Sequence, residues 1–107
     1  MVTAILRVVV PASKRMETIQ ALRSLRGPTE AYPDCRQCSV YQCLNDDNRL
    51  VLVQEWATQA ALNQYLRSDL YRTILAVMET ASEPPEMRFD TLARSAGVEV
   101  VQAARGQ

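Results

Sequence analysis

Residues 2–10 constrain the fold more than any other part of the sequence. They are rich in valine, isoleucine and leucine, which is typical of a buried β-strand, and Pro11 ends the run. Over residues 12–26 the apolar positions change to a helical spacing, and a proline suits the first turn of a helix. The apolar face of this predicted helix comprises Met16, Ile19, Leu22 and Leu25. We expect the Gly-Pro pair at residues 27–28 to end it.

Two further strands and a polar turn are predicted in the middle of the chain. After a loop at residues 29–34, residues 35–44 form a second strand and residues 49–56 a third, more apolar one. The polar residues 45–48 between them indicate a hairpin turn.

Two helical segments and a fourth strand are predicted in the second half. Thr58 is a good cap for a short helix. The inward residues of that helix are Ala61, Leu62, Tyr65 and Leu66. Ser68 indicates the cap of another helix, which the proline pair at residues 84–85 terminates. Residues 86–93 are predicted as a fourth strand, and residues 98–103 as a short final strand.

This order of elements, βαββαβ, predicts a ferredoxin-like α+β fold with a four-stranded antiparallel sheet and helices on one face. We expect a single domain over residues 1–107, with its core at about residues 2–93. The sheet face without helices is apolar in its central strands, so we expect a second copy of the chain to cover it in a homodimer. The tail at residues 94–107 then reaches toward the partner subunit.

The charge and composition of the chain exclude several classes of partner. Twelve basic and twelve acidic residues give a formal net charge of zero, and scattered basic residues make no footprint for nucleic acid. No apolar run is long enough to span a membrane, and the first residues lack the pattern of a secretion signal. Together with an odd number of cysteines, three, this predicts a cytoplasmic protein.

The sequence contains no histidine. This removes the commonest general base, metal ligand and haem ligand. The three glycines are isolated, so no glycine-rich phosphate loop is present either. We therefore expect no metal and no cofactor.

Cys35, Cys38 and Cys43 lie in the second predicted strand. Cys35 and Cys38 have the spacing of a redox or metal-binding pair, but in a strand their side chains are expected on opposite faces. No second pair or acidic cluster completes a zinc site. Free buried thiols that act as small hydrophobic side chains are the alternative that we favour.

Trp56, Tyr65 and Tyr71 are the candidate catalytic residues. Trp56 ends the third strand, where it either walls a pocket between sheet and helices or is a core aromatic. Tyr65 and Tyr71 lie on the segments that cover the sheet. A tyrosine there can donate a hydrogen bond to an oxyanion, or it is a core residue with its hydroxyl at the surface.

Arg7 and Arg88 are the candidate substrate-binding residues. Each lies within a predicted strand, where a charged side chain needs a carboxylate or an anionic ligand. The alternative for both is a salt bridge across the sheet or the dimer, to Glu55 or Asp90.

Residues 50–71, LVLVQEWATQAALNQYLRSDLY, resemble the antibiotic biosynthesis monooxygenase (ABM) domain family. The shared pattern is an apolar strand that ends in Glu55-Trp56, a small capping residue, an Ala-Leu pair, and Ser-Asp before an aromatic residue. The resemblance covers about residues 2–92 and includes Cys35 at the start of the second strand. It implies a dimeric α+β barrel, in which subunits pair through their sheets and each has a pocket between sheet and helices.

The resemblance implies more than one activity. Some members oxidise quinols or anthrone-like polyketides with O2 and without metal or flavin; some degrade haem; others isomerise small molecules or have no known activity. The haem-degrading members have an asparagine near the position of Arg7 and a helical histidine near Leu75. Only the tryptophan of that set is present here, as Trp56, so haem is not expected.

We therefore predict a cofactor-independent monooxygenase that acts with O2 on a small aromatic, quinol or anthrone-like substrate. Without histidine, deprotonation depends on a tyrosine, a carboxylate or an already acidic substrate. The alternatives are a non-catalytic small-molecule-binding or assembly module of the same fold, and a small-molecule isomerase.

Overall fold

The structure, a computed structural model, describes residues 1–106. Its strands are β1 (Val2–Val9), β2 (Cys35–Cys43), β3 (Asp46–Trp56) and β4 (Glu86–Thr91). Its helices are α1 (Arg15–Glu30), α2 (Gln59–Leu66), α3 (Arg72–Glu79) and α4 (Val98–Ala104), with a 3-10 turn at Ala12–Lys14 before α1.

The four strands form one antiparallel sheet in the order β2-β3-β1-β4. The first three helices pack on one face of this sheet, which confirms the predicted ferredoxin-like α+β fold. β2 and β4 lie at the two edges, so the outward backbone groups of these strands have no partner strand within residues 1–106.

The alternation along β1 gives the sheet two different faces, because its residues are in turn buried and half-buried. On the helix face, Val2, Ala4, Leu6 and Val8 of β1 lie opposite Trp56, Gln54, Leu52 and Leu50 of β3. These residues, together with Leu22 and Leu25 of α1, form the core. The opposite face, here called the bare face, carries Ile5, Arg7, Val51, Val53, Glu55, Arg88 and Asp90.

α1 continues through Gly27 and Pro28, so the predicted end of this helix is wrong. A proline in the last turn removes only one intrahelical hydrogen bond, and Thr29, which is fully buried, anchors that turn in the core. The buried side of α1 also differs from the prediction, because Met16 is 62% exposed whereas Thr18 is buried.

Several other element ends lie a few residues from their predicted positions. β3 begins at Asp46, so the polar residues predicted as a turn belong mostly to the strand, and the hairpin turn is at residues 44–45. α3 ends at Glu79, before the proline pair, because the chain turns back to the sheet. There the Ser82 backbone N–H donates to the Val9 carbonyl oxygen at 2.8 Å.

An irregularity in β2 places Cys35 and Cys38 on the same face, so the prediction of opposite faces is wrong. Cys35 lies opposite Trp56, and Cys38 lies opposite Gln54. Both of these β3 residues face the helices. The register shifts between Cys35 and Gln37, where the extra residue of a β-bulge changes the alternation.

The tail forms helix α4, so the prediction of a short final strand is wrong. A strand needs a neighbouring strand for its backbone groups, whereas a helix bonds its own. Residues 91–106 are all exposed, so the described chain supplies no such neighbour. Within residues 1–106, no helix is long and apolar enough to cross a bilayer.

Candidate functional site

Trp56 and Gln54 form the floor of a buried polar network on the helix face. Trp56 has no exposed surface and Gln54 is 3% exposed. The Trp56 indole N–H donates to Gln54 Oε1 at 3.4 Å. The amide nitrogen of Gln54 donates to the Tyr65 hydroxyl at 3.1 Å and to Cys38 Sγ at 3.7 Å. Both the oxygen and the nitrogen of the Gln54 side-chain amide therefore have hydrogen-bond partners.

Tyr65 is placed over this floor by helix α2. The Thr58 side chain accepts the Ala61 backbone N–H at 3.1 Å, which confirms Thr58 as the cap of that helix. Tyr65 is fully buried, and its hydroxyl lies 3.0 Å from the Thr29 hydroxyl at the end of α1. The Tyr65 hydroxyl thus joins α1, α2 and β3.

The Tyr65 ring is at the centre of an aromatic cluster of four rings: Tyr32, Trp56, Tyr65 and Tyr71. The ring centroids of Trp56 and Tyr65 are 4.8 Å apart, and those of Tyr65 and Tyr71 are 5.6 Å apart in an edge-to-face arrangement. The structure therefore brings together all three residues that the sequence offered as catalytic candidates.

A small cavity adjoins this cluster. Its volume is about 10 Å³, and its lining consists of Ala4, Leu6, Leu52, Gln54, Tyr71, Met87 and Phe89. This is room for about one water molecule. Phe89 is the most exposed of these residues, at 42%. The cavity is thus largely apolar, although Gln54 and Tyr71, which carry polar groups, are among its lining residues.

Tyr65 and Tyr71 keep their phenol protons at neutral pH. Burial raises the pKa of the Tyr65 phenol above its ordinary value of 10.0, and the hydrogen bonds from Thr29 and Gln54 offset only part of this effect. Burial alone raises the pKa of Tyr71. Neither phenol can therefore serve as a base near neutrality, whereas both can donate a hydrogen bond.

Arg7 and Arg88 lie on the bare face, on the opposite side of the sheet from the aromatic cluster. Arg7 Nη1 donates to Glu86 Oε2 at 3.0 Å, and Arg88 Nε donates to Asp90 Oδ2 at 3.0 Å. Both arginines form salt bridges, as the alternative predicts. The partner of Arg7 is Glu86 on the neighbouring strand, not Glu55 or Asp90, and the partner of Arg88 is Asp90 on its own strand, so that bridge does not cross the sheet. The structure does not bring these two residues to the candidate catalytic residues.

The cysteines beside the network are protected thiols. Burial, with a smaller contribution from the neighbouring Cys38, raises the pKa of Cys35 from 9.0 to about 11. Burial also raises the pKa of Cys38, which has no exposed surface. All three cysteines are free, and residues 1–106 contain no cluster of three potential metal ligands among histidine, cysteine and acidic side chains. Cys35 and Cys38 therefore lack the low pKa of a redox pair.

Sequence reasoning missed Gln54 and Thr29. Gln54 carries a signal, because it shares the inward alternation of β3 with Leu52 and Trp56, and a polar residue at such a position needs buried partners. Thr29 carries none, because the Gly-Pro pair before it indicated a loop. Its burial depends on α1 continuing past Pro28.

Solved structures of other proteins share this architecture. A protein described as an antibiotic biosynthesis monooxygenase superposes with a TM-score of 0.78 at 16% identity, over 88% of this chain and 100% of its own. Rv0793 from Mycobacterium tuberculosis has a TM-score of 0.80 at 23% identity, over 90% and 98%. A conserved protein from Methanosarcina mazei Go1 has a TM-score of 0.77 at 23% identity, over 83% and 89%. These similarities establish the shared fold.

The family follows from sequence. No curated protein matches the chain. The family model for antibiotic biosynthesis monooxygenase, ABM, matches residues 1–77, which include β1 to β3, α2 and the whole aromatic cluster. The chain belongs to the antibiotic biosynthesis monooxygenase family.

Proposed function

We propose that the chain is a cofactor-independent monooxygenase that oxidises a small aromatic, quinol or anthrone-like substrate with O2. The observation that carries the proposal is the cavity at the aromatic cluster, a largely apolar space that has the buried residues Gln54 and Tyr71 in its lining. Family membership supports the same reaction class. The three free cysteines support a reducing compartment, so we place the protein in the cytoplasm.

The substrate would enter beside Phe89. The cavity of about 10 Å³ is too small for an aromatic ring, so its walls must move. Phe89 is 42% exposed and Met87 is half-buried, whereas the other wall residues are buried. Movement of these two side chains would open a slot between Gln54 and β4, with the Phe89 ring available for stacking.

The protein's part in the reaction is to bind and stabilise the substrate anion. No histidine is available, and the raised pKa values of Tyr65 and Tyr71 exclude both phenols as bases near neutrality. The substrate must then be acidic enough to enter or ionise as an anion. The Tyr71 hydroxyl donates a hydrogen bond to its oxygen, and low polarity around the anion strengthens that bond.

Oxygen insertion then balances without an added reductant. The anion gives one electron to O2, and the two radicals combine to form a carbon–oxygen bond. The O–O bond then breaks and the second oxygen leaves in water. In an anthrone it takes the two hydrogens of the methylene, so that CH2 and O2 become C=O and H2O; a hydroquinone and O2 become a hydroxyquinone and H2O. Trp56 and Tyr65 position the reaction site and exclude water.

The test is oxygen uptake by the metal-free protein with a panel of hydroquinones and anthrones. We expect uptake above autoxidation that falls about tenfold or more in Tyr71→Phe, since one donor to developing charge contributes on this scale. Trp56→Phe tests the packing of the same site and should also lower turnover. Leu44→Ala, at the hairpin tip and 99% exposed, is the control.

Two outcomes would reject parts of this proposal. Unchanged turnover in Tyr71→Phe and Trp56→Phe would remove both residues from the mechanism. Absence of uptake with every panel substrate, in a protein whose spectrum shows that it is folded, would favour the second candidate.

The second candidate is a small-molecule-binding or assembly module without catalysis, or an isomerase. It is favoured by the internal bonding of the network, because Trp56, Gln54 and Tyr65 are all satisfied by protein groups. It predicts that anthrones shift the amide resonances of the cavity residues without being consumed, or, for an isomerase, that they are rearranged without O2.

We also propose that the chain works as a homodimer through the bare face. Ile5, Val51 and Val53 form an apolar centre there, and all three are half-buried in the single chain. The ion pairs of Arg7 and Arg88 flank this centre on the β4 side. A second copy would remove the apolar centre from water.

A further inference from the structure

A second pocket lies between α1 and the edge strand β2, away from the aromatic cluster. It has a volume of about 410 Å³ and is lined by Ile19, Arg23, Arg26, Val40, Tyr41, Gln42 and Leu50. It shares no lining residue with the cavity at the aromatic cluster. We call it the α1–β2 groove. Its lining is half apolar and half polar, and two arginines of α1, Arg23 and Arg26, belong to it.

A carboxylate of the protein itself already pairs with Arg26, one of the lining residues of this groove. Glu30, at the end of α1, accepts the Cys38 backbone N–H with Oε2 at 3.3 Å. Its Oε1 lies 3.5 Å from Arg26 Nε. One carboxylate thus bridges an amide of the β2 edge and an arginine of α1.

The amide of Val40 faces the groove as the amide of Cys38 does. Antiparallel ladders alternate between paired residues that exchange hydrogen bonds and paired residues that point outward. The Ala57 N–H donates to the Asp34 carbonyl oxygen at 2.8 Å. The odd-numbered residues of β3 therefore direct their N–H and C=O groups toward β2, and the even-numbered residues direct theirs toward β1. Val40 lies opposite Leu52, an even position, so its N–H and C=O point away from β3 and into the groove.

Arg23 repeats the position of Arg26 one turn earlier in α1, on the same side of the helix. An outward-pointing amide of β2 is thus combined with an arginine of α1 at two places, Cys38 with Arg26 and Val40 with Arg23. At Cys38 and Arg26 the pair holds Glu30. Within residues 1–106, Arg23 forms no salt bridge.

We propose that the α1–β2 groove is a binding site for a small organic monocarboxylate with an apolar body. The carboxylate accepts from the Val40 N–H and the Arg23 guanidinium, in the arrangement that Glu30 shows one step away. The body lies against Ile19 and Leu50. A volume of about 410 Å³ is in the range of sites for small molecules, which favours a two-ring aromatic acid or a medium-chain fatty acid.

The charge of the groove favours an anion over a neutral ligand. Two arginines and one glutamate leave one net positive charge at its rim. Arginine binds carboxylates in a forked geometry that lysine cannot reproduce, and hydrogen bonds with an ionised partner are about twice as strong as neutral ones.

The experiment is a titration of the isotopically labelled full chain with 2-naphthoate, followed by amide resonances. 2-Naphthamide, which has the same rings without the charge, is the ligand control. We expect the Val40 amide to shift most, and the naphthoate to bind about tenfold more tightly than the naphthamide. Arg23→Gln should abolish that preference, whereas Arg67→Gln, at another exposed arginine, should leave it unchanged.

The proposal is overturned by any of three results. These are equal binding of naphthoate and naphthamide, an unchanged naphthoate affinity in Arg23→Gln, or resonance shifts centred outside the groove. Arg23 is exposed, so its substitution leaves the fold intact and a loss of binding cannot be attributed to unfolding. The result is independent of oxygen uptake at the aromatic cluster.

Discussion

Gln54 is a polar side chain at an inward position of a central strand, and its surroundings are arranged to satisfy it. A buried amide without partners destabilises a protein, so its neighbours must supply donors and acceptors. Here Trp56, Tyr65 and Cys38 do so, from β3, α2 and β2. The same bonds fix the rings that border the candidate site, so the core and the site depend on one another.

The Tyr65 hydroxyl is the link in this network that can be removed with the least change of shape. In Tyr65→Phe, Gln54 and Thr29 each lose a partner inside the core. We expect the free energy of unfolding to fall by about 1–3 kcal/mol. Urea unfolding followed by circular dichroism measures it, with Leu44→Ala at the 99% exposed hairpin tip as the control. Equal stability of the two variants would mean that water replaces the lost hydroxyl without cost.

The buried thiols and phenols make the fold sensitive to alkaline pH. The pKa of Cys35 rises from 9.0 to about 11, and those of Cys38, Tyr65 and Tyr71 also rise above their ordinary values. The unfolded chain therefore loses protons first, so stability is constant below about pH 9 and falls above it. Urea midpoints across this range measure the fall, which should be shallower in Cys35→Ala. A midpoint that rises with pH would contradict the prediction.

At the residue scale, the aromatic candidates for the site could be predicted from the sequence, whereas their polar partners could not. Trp56, Tyr65 and Tyr71 stand out by type and helical or strand position, and the structure groups them. The positions of Arg7 and Arg88 followed from strand register, which a sequence alone leaves open by one residue. Thr29 and the facing of Cys35 depended on a helix end and a β-bulge, neither of which has a clear sequence signal.

At the scale of elements, the order of strands and helices was predictable because periodicity changes sharply along the chain. Residues 2–10 and 49–56 are too β-rich to be helices, and Thr58 caps a helix as expected. The two errors arose where local propensity competes with context. Pro28 is tolerated in a last turn, and the valines of residues 98–101 form a helix where no neighbouring strand exists within the described chain.

The cap of α2 is a local interaction with a global consequence, since this helix carries Tyr65. Thr58→Ala removes the acceptor of the Ala61 N–H, and we expect a loss of about 1 kcal/mol in the free energy of unfolding. Thr58→Ser retains the hydroxyl and should stay within about 0.5 kcal/mol of the parent. Urea unfolding measures both. Similar losses in the two variants would assign the effect to the threonine methyl group.

At the scale of the whole molecule, the proposed homodimer depends on the bare face. Val53→Lys places a charge in the apolar centre of this face, where a second copy would bury it without a partner. We expect sedimentation equilibrium to give twice the chain mass of 12.0 kDa for the parent and a single chain mass for the variant. Leu44→Lys, at the fully open hairpin tip, is the control. A monomeric parent protein would reject the proposed homodimer.

The position of the Glu30 carboxylate also affects the tendency of the protein to aggregate at high concentration. An uncovered sheet edge is a template on which strands of other molecules can add, and unlimited addition leads to fibrils. On β2, Glu30 occupies the Cys38 amide that an added strand would need. A strand that adds at this position would have to displace the Glu30 carboxylate. The same side chain that completes α1 therefore obstructs strand addition at Cys38.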